Sequence, residues 1–284
     1  MSGFWEPFQF EFFRNGLLVA TVAGGLCGLV GTYVVLRRMS YIGHGLSHAV
    51  FGGAAASAVA GVNFFVGAGL WGIVSALAIG RVARRRIIGS DAAIGVITTA
   101  SFALGLALFG LYGQARQSTE ALLFGSILGV DDGDVAVVVG VAVATGVVVF
   151  AAYRSLLFAT FDPEVADVSG LRVDRLDALL MVVLAVSILA TTKVLGVVLV
   201  AATLVIPATT ARMLTNSFAR MLWLSTAIGA ACGFGGMVAS YHLDVSSGAA
   251  VVLVGALAFA AVFAVTGTRG LRRTHARPPQ HRPL

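Results

Sequence analysis

Charge is the scarcest property of this chain. Only 11% of its 284 residues are Asp, Glu, Lys or Arg, against about 25% in a soluble domain. So few polar groups cannot cover a water-facing surface, which excludes a soluble enzyme and a disordered chain. Cysteine is nearly absent too. Cys27 and Cys232 both stand in apolar runs, with no C-x-x-C, so they read as small packing residues and a secreted disulfide scaffold is excluded. No G-x-x-x-x-G-K-[ST] occurs, so the chain has no P-loop for a nucleotide. H-E-x-x-H and G-x-S-x-G are missing as well, which removes the familiar metal-base and acyl-transfer sets. Carboxylates avoid the middle of the apolar runs. Asp91, Asp134, Asp174, Asp177 and Asp244, with Lys193, fall at or near their ends, where capping or interfacial anchoring accounts for them. The first residues, MSGFWEPFQFEFFR, lack the basic stretch of a cleaved signal peptide and suit an interfacial approach to the first helix.

What remains is apolar. Hydrophobic residues make up 58% of the chain, and the mean hydropathy is +0.94. A membrane-crossing helix needs about 20 such residues. Candidate runs lie at roughly 16–36, 41–60, 62–80, 92–112, 135–153, 174–191, 194–212, 220–240 and 246–267. The run at 41–60 is the weakest, and 174–212 can be divided differently. The expected fold class is therefore all-α, a polytopic membrane bundle of 8–9 spans. Barrel strands would alternate over segments of about 10 residues, and these runs do not.

A net charge of +6 and a pI near 10 would suggest a nucleic-acid partner in a soluble protein. The positions of the charges argue otherwise. With the N-terminus outside, only Arg14, Arg116 and Lys193 of the 19 basic residues fall on the outer side. The rest lie in alternate loops and the C-terminal tail, the bias that marks the cytoplasmic face. Residues 1–267 form the expected membrane domain. Residues 268–284 form a basic cytoplasmic tail, expected to be disordered beside anionic lipid, with His275 and His281 in it. Glycine numbers 35, about 12% against a usual 7% or so. Gly24, Gly28 and Gly31, and again Gly229 and Gly233, line faces on which helices approach closely. Pro207 stands inside a run and should kink its helix.

Two stretches carry chemistry. In RRMSYIGHGLSHAVFGG, His44 and His48 are four residues apart and share one helix face, with Ser47 beside them. If the helix starts near Ser40, His44 lies ~6 Å deep and His48 ~12 Å deep, close to the midplane of a core about 30 Å thick. Two neutral imidazoles so placed are candidate ligands for one zinc-like ion. Hydrogen bonding to neighbouring helices is the plainer alternative. Two ligands do not close a site, and a two-fold dimer would bring four imidazoles to one axis.

The other stretch is the inner loop FDPEVADVSGLRV. Asp162 can cap a short helix and Pro163 fits its first position. Glu164 suits its positive end, Asp167 follows on the same short turn, and Gly170 can end it. A rigid, water-facing helix between spans is a handle for a separate motor. An ordered connector is the plainer alternative.

The segments YVVLRRMSYIGHGLSHAVFGG, SDAAIGVITTASFALGLAL, LFGSILGV, FDPEVADVSG and KVLGVVLVAATLVIPATTARML occur in that order. In them the chain resembles, over nearly its full length, the permease subunits of the manganese/zinc/iron-type ABC importers. The resemblance implies an all-α cell-membrane permease that pairs with a second copy or a related permease. It also implies two cytoplasmic ATPases and an extracellular protein that delivers Mn²⁺, Zn²⁺ or Fe²⁺. No permanent cofactor and no catalytic activity of its own are implied. Asp162, Pro163, Glu164, Asp167 and Gly170 would form the ATPase contact. The family usually carries G-D-x-x-[SA]-H on the second helix, its aspartate and histidine being the proposed cation ligands. His48 matches that histidine, and His44 stands where the aspartate is expected. Nitrogen in place of a hard oxygen should favour Zn²⁺ over Mn²⁺. An ATP-independent metal carrier or channel is the alternative, and it should show a buried carboxylate for ion coupling. A membrane zinc enzyme would need a third ligand and a base.

Overall fold

A computed structural model describes residues 6–84, 90–112, 123–125 and 130–275. Among these residues there are helices and turns and no strand. After a 3-10 turn at Glu6–Gln9 come α1 (Glu11–Leu36), α2 (Ser40–Ala60), α3 (Phe64–Arg84) and α4 (Ser90–Tyr112). Then follow α5 (Asp132–Ala151), α6 (Tyr153–Phe161), α7 (Pro163–Val168) and α8 (Val173–Leu195). The last are α9 (Val200–Leu214), α10 (Phe218–Leu243) and α11 (Ser247–His275). The boundary drawn at residue 267 therefore falls within α11, and residues 276–284, with His281, lie outside the described residues.

The glycine faces explain the centre of the bundle. A Cβ on Gly24 would run into the Gly229 carbonyl, and one on Gly28 into the Ser225 carbonyl. Reciprocally, Gly229 abuts the Gly24 carbonyl and Gly233 that of Ala20. The two small-residue patterns therefore form one seam between α1 and α10. Ser225 Oγ adds a donor to the Gly28 carbonyl at 2.6 Å. In lipid, where apolar burial drives little, such packing and cross-helix bonding hold helices together. Gly31 continues the contact onto Leu204 of α9.

Seven described helices, α1, α3, α4, α5, α8, α10 and α11, are long and apolar enough to cross a membrane. Eight or nine spans were expected, and the two runs outside this measure, α2 and α9, fall short of it for different causes. α2 is long, at 21 residues, but mixes His, Ser and Gly with its apolar residues. It can do so because it is enclosed. Gly45 packs on Ile94 and Thr98, Gly52 on the Ser101 carbonyl and Gly53 on Trp71, so α3 and α4 shield it. α9 has only 15 residues, about 22 Å at 1.5 Å per residue. It is shortened because Gly196, at φ +77°, ends α8 and starts a turn that runs to Leu199. Pro207 is buried inside α9. The hydroxyls of Ser187, Thr191 and Thr192 in buried α8 donate to carbonyls of their own helix, so none is stranded.

Opposite charges staple both ends of the bundle. At one end, Lys193 Nζ meets Asp134 Oδ1 at 2.5 Å and lies over the Phe65 ring at 5.3 Å. Asp134 also completes a capping box with Asp131 at the start of α5. Asn15 Nδ2 donates to Asp132 there at 2.9 Å. At the other end, Arg37 Nη1 meets Asp177 Oδ1 at 2.5 Å. That second end also holds the start of α2, the α6–α7 segment and the start of α8.

Candidate functional site

α2 begins straight after a sharp corner. Arg38 takes the left-handed φ of 56°, and Met39 N–H donates back to the Val34 carbonyl at 2.9 Å. From Ile42 to Ala55 every residue of α2 is buried except His44 and His48, which are half-buried. The two histidines are thus the whole of the open strip along that stretch. Their Nε2 atoms face each other at 3.1 Å. In a hydrogen bond one Nε2 carries the proton and the other accepts, which fixes different tautomers for the two rings.

The same spacing suits a shared ion. Two imidazoles on a tetrahedral metal at about 2.05 Å have nitrogens about 3.3 Å apart. Aromatic neighbours set the ring planes. The His48 ring stands edge-on to Phe102 of α4 with centroids 4.5 Å apart, and Phe51 packs on the Phe102 ring at 5.0 Å. Tyr41 lies 5.8 Å from the His44 ring. His48 Nδ1 is buried and makes no hydrogen bond to the protein. Ser47, adjacent in sequence, is fully buried and donates to the His44 carbonyl at 2.8 Å, so its hydroxyl does not join the pair.

Among the described residues no three His, Cys, Asp or Glu side chains gather closely enough to hold a metal. His242 belongs to the last turn of α10, and its ring packs on Tyr241. The described residues of one chain therefore offer two candidate ligands at this position.

The inner-loop residues form the local structure their sequence implies. Asp162 Oδ1 accepts from Val165 N–H at 3.1 Å, Pro163 occupies the first turn of α7 and Glu164 follows it. The Asp167 backbone carbonyl accepts from Gly170 N–H at 2.9 Å, and Gly170 leaves the helix at φ +86°. From Phe161 to Gly170 only Ala166 is buried. Val168 is 89% exposed, and Phe161 and Val165 are also open. The capped helix thus displays apolar side chains beside the Glu164 and Asp167 carboxylates.

The end pairs were hidden from local sequence patterns. Asp134, Asp177 and Lys193 sit at helix ends as expected, yet each also holds a partner from a distant part of the chain. A signal existed. By the loop-charge bias, Arg37 and Asp177 fall on one side and Asp134 and Lys193 on the other, each pair at matching depth.

The chain matches the ABC 3 transport family over residues 9–266. It is 36% identical over 265 residues to the manganese transport system membrane protein MntC of Listeria monocytogenes, covering 93% of this chain and 94% of that one. To the manganese import system permease protein ScaB of Streptococcus parasanguinis it is 38% identical over 253 residues, 88% and 89% of the two chains. A "probable iron transport system membrane protein" of Haemophilus influenzae is 37% identical over 265 residues, 93% and 97% of the two. The solved structure of PsaBC from Streptococcus pneumoniae in complex with Fab superposes with a TM-score of 0.83 at 36% identity, covering 92% and 94%. An inward-facing metal-chelate type ABC transporter shares the fold, with a TM-score of 0.73 at 14% identity over 89% and 85% of the two chains. The chain belongs to the ABC 3 transport family, the permease subunits of manganese-, zinc- and iron-type ABC importers that its motifs resemble.

Proposed function

We propose that this permease carries a divalent first-row metal ion into the cell, with His44 and His48 as transient ligands on its path. One observation carries the proposal: two Nε2 atoms 3.1 Å apart on the only open strip of an otherwise buried stretch. A second copy, or a related permease, would face this strip and complete the conduit. Incomplete coordination within one chain suits transport, because an ion must leave the site as readily as it enters.

The relatives' names favour manganese, with iron second. Zinc was expected from the nitrogen at position 44. Any imidazole site binds Zn²⁺ more tightly than Mn²⁺, so the histidines alone fix affinity rather than cargo. Mn²⁺ is the cargo proposed, and Zn²⁺ is a tight competitor for the same rings.

In operation, an extracellular metal-binding protein releases the ion to the outer mouth. A cytoplasmic ATPase dimer grips α7 through Glu164, Asp167 and the exposed Val165 and Val168. Its closure rocks the helices between outward- and inward-open states. The basic loops and tail face the cytoplasm and the N-terminus lies outside, as the charge bias requires. Nucleic acid has no part in this scheme.

The test is uptake of Mn²⁺ into vesicles holding the permease with its ATPase and binding protein. Uptake that requires ATP supports the proposal. Equal uptake without ATP would establish the carrier or channel alternative.

A further inference from the structure

Arg37 occupies a position that the metal path and the ATPase contact do not by themselves require. It caps the last turn of α1, its N–H donating to the Tyr33 carbonyl at 2.9 Å, and α2 starts only three residues later. Its side chain is 10% exposed. Nε donates to Thr160 Oγ1 at 3.1 Å and Nη1 to Asp177 Oδ1 at 2.5 Å. Thr160 commits its own proton to the Leu156 carbonyl at 2.6 Å, so its oxygen is a fixed acceptor within α6. One guanidinium therefore joins three elements: the α1–α2 corner, the end of α6 and the start of α8.

The connections on either side are short. Thr160 stands two residues before Asp162, the cap of α7. Across the corner, Arg38 and Met39 form a tight turn, and His44 lies in the first turns of α2. From Phe161 to Gly170 the chain is otherwise exposed apart from Ala166. A push on α7 has few other routes into the bundle.

Arg37 Nη2 is buried with no partner. Nη2 is therefore a donor that the protein leaves uncommitted. A fork of five donors can exchange partners while staying paired, for instance by taking both oxygens of Asp177. Tyr33 Oη, one turn earlier on α1, is also buried and unpaired.

We infer that Arg37 is a positioning residue that relays movement of the α6–α7 segment to the α1–α2 corner, and so to His44 and His48. The inference rests on the proposed role of α7 as the ATPase contact. Lysine cannot serve, since a point charge does not reach Thr160 and Asp177 together in a fixed plane.

The experiment measures Mn²⁺ moved per ATP hydrolysed by the reconstituted complex, with its thermal midpoint alongside. Thr160→Val removes one acceptor and leaves the ion pair in place. It is expected to lower the ratio about fivefold, within the range by which residues of a coupling network act. Hydrolysis should continue, and the ratio should fall beyond what any modest drop in thermal midpoint explains; a merely structural contact would lower the midpoint and leave the ratio at its wild-type value. Arg37→Lys should act in the same direction and more strongly. If Arg37→Lys fails to assemble, Thr160→Val decides alone. A ratio equal to wild type in Thr160→Val overturns the relay. Should Glu164→Arg also leave transport intact, the role of α7 fails with it. If Glu164→Arg abolishes transport while Thr160→Val does nothing, only the relay fails.

Discussion

The two charged ends of the bundle hold bonds of the same length and differ in everything around them. Lys193–Asp134 and Arg37–Asp177 both measure 2.5 Å. Lys193 is 35% exposed against a carboxylate only 5% exposed, whereas Arg37 is 10% exposed against one at 30%. Asp134 is already satisfied in part, because Asp131 N–H donates to its second oxygen at 3.2 Å. The lysine is a flexible point charge added to a capped helix start. The arginine is a rigid fork among three elements, one of them leading directly to α7. Distance alone therefore says little about the work an ion pair does. One of these fixes a helix end, and the other joins three elements that meet beside α7.

Substitutions should separate the two ends. The largest effect is expected from Asp177→Lys, which places a second cation against a buried guanidinium. Stranding a buried charge costs about 3–5 kcal/mol, so little folded permease should be recovered from membranes. Glu164→Arg comes next in effect on transport. It should abolish co-purification of the ATPase, or uncouple it, while the permease itself folds; normal assembly and uptake would remove α7 from the mechanism. At the far end Lys193→Met should be milder. Lys193 itself can turn to water, but the Asp134 carboxylate it leaves is only 5% exposed and keeps one N–H from the capping box, so about 1–3 kcal/mol of stability is expected to go. Thermal unfolding would check this, with metal moved per ATP unchanged. Asn15→Ala should be smallest, under about 0.5 kcal/mol, because its bond to Asp132 is exposed. A far-end variant that uncoupled transport would erase the distinction.

Much of this was legible beforehand, for identifiable reasons. The glycine faces of α1 and α10 appear at helical spacing, and the structure joins them as one seam. The cap at Asp162 and the histidine spacing are local features, which a sequence states directly. Enclosure of α2 is not local. Its polar content looks like a weak span until α3 and α4 are seen around it. The shortness of α9 depends on one glycine at φ +77°, which a hydropathy window smooths over. The bond from Arg37 to Asp177 crosses 140 positions, and no periodicity encodes such a pairing.

The central claim is that His44 and His48 touch the metal in transit. Its most direct test is the initial rate of ATP-driven Mn²⁺ uptake by complexes carrying His44→Ala and His48→Ala together. Loss of a ligand pair made for the ion in transit should lower the rate by about a hundredfold or more, with the ATPase still bound and the permease still folded. An unchanged rate in that double variant would contradict the account.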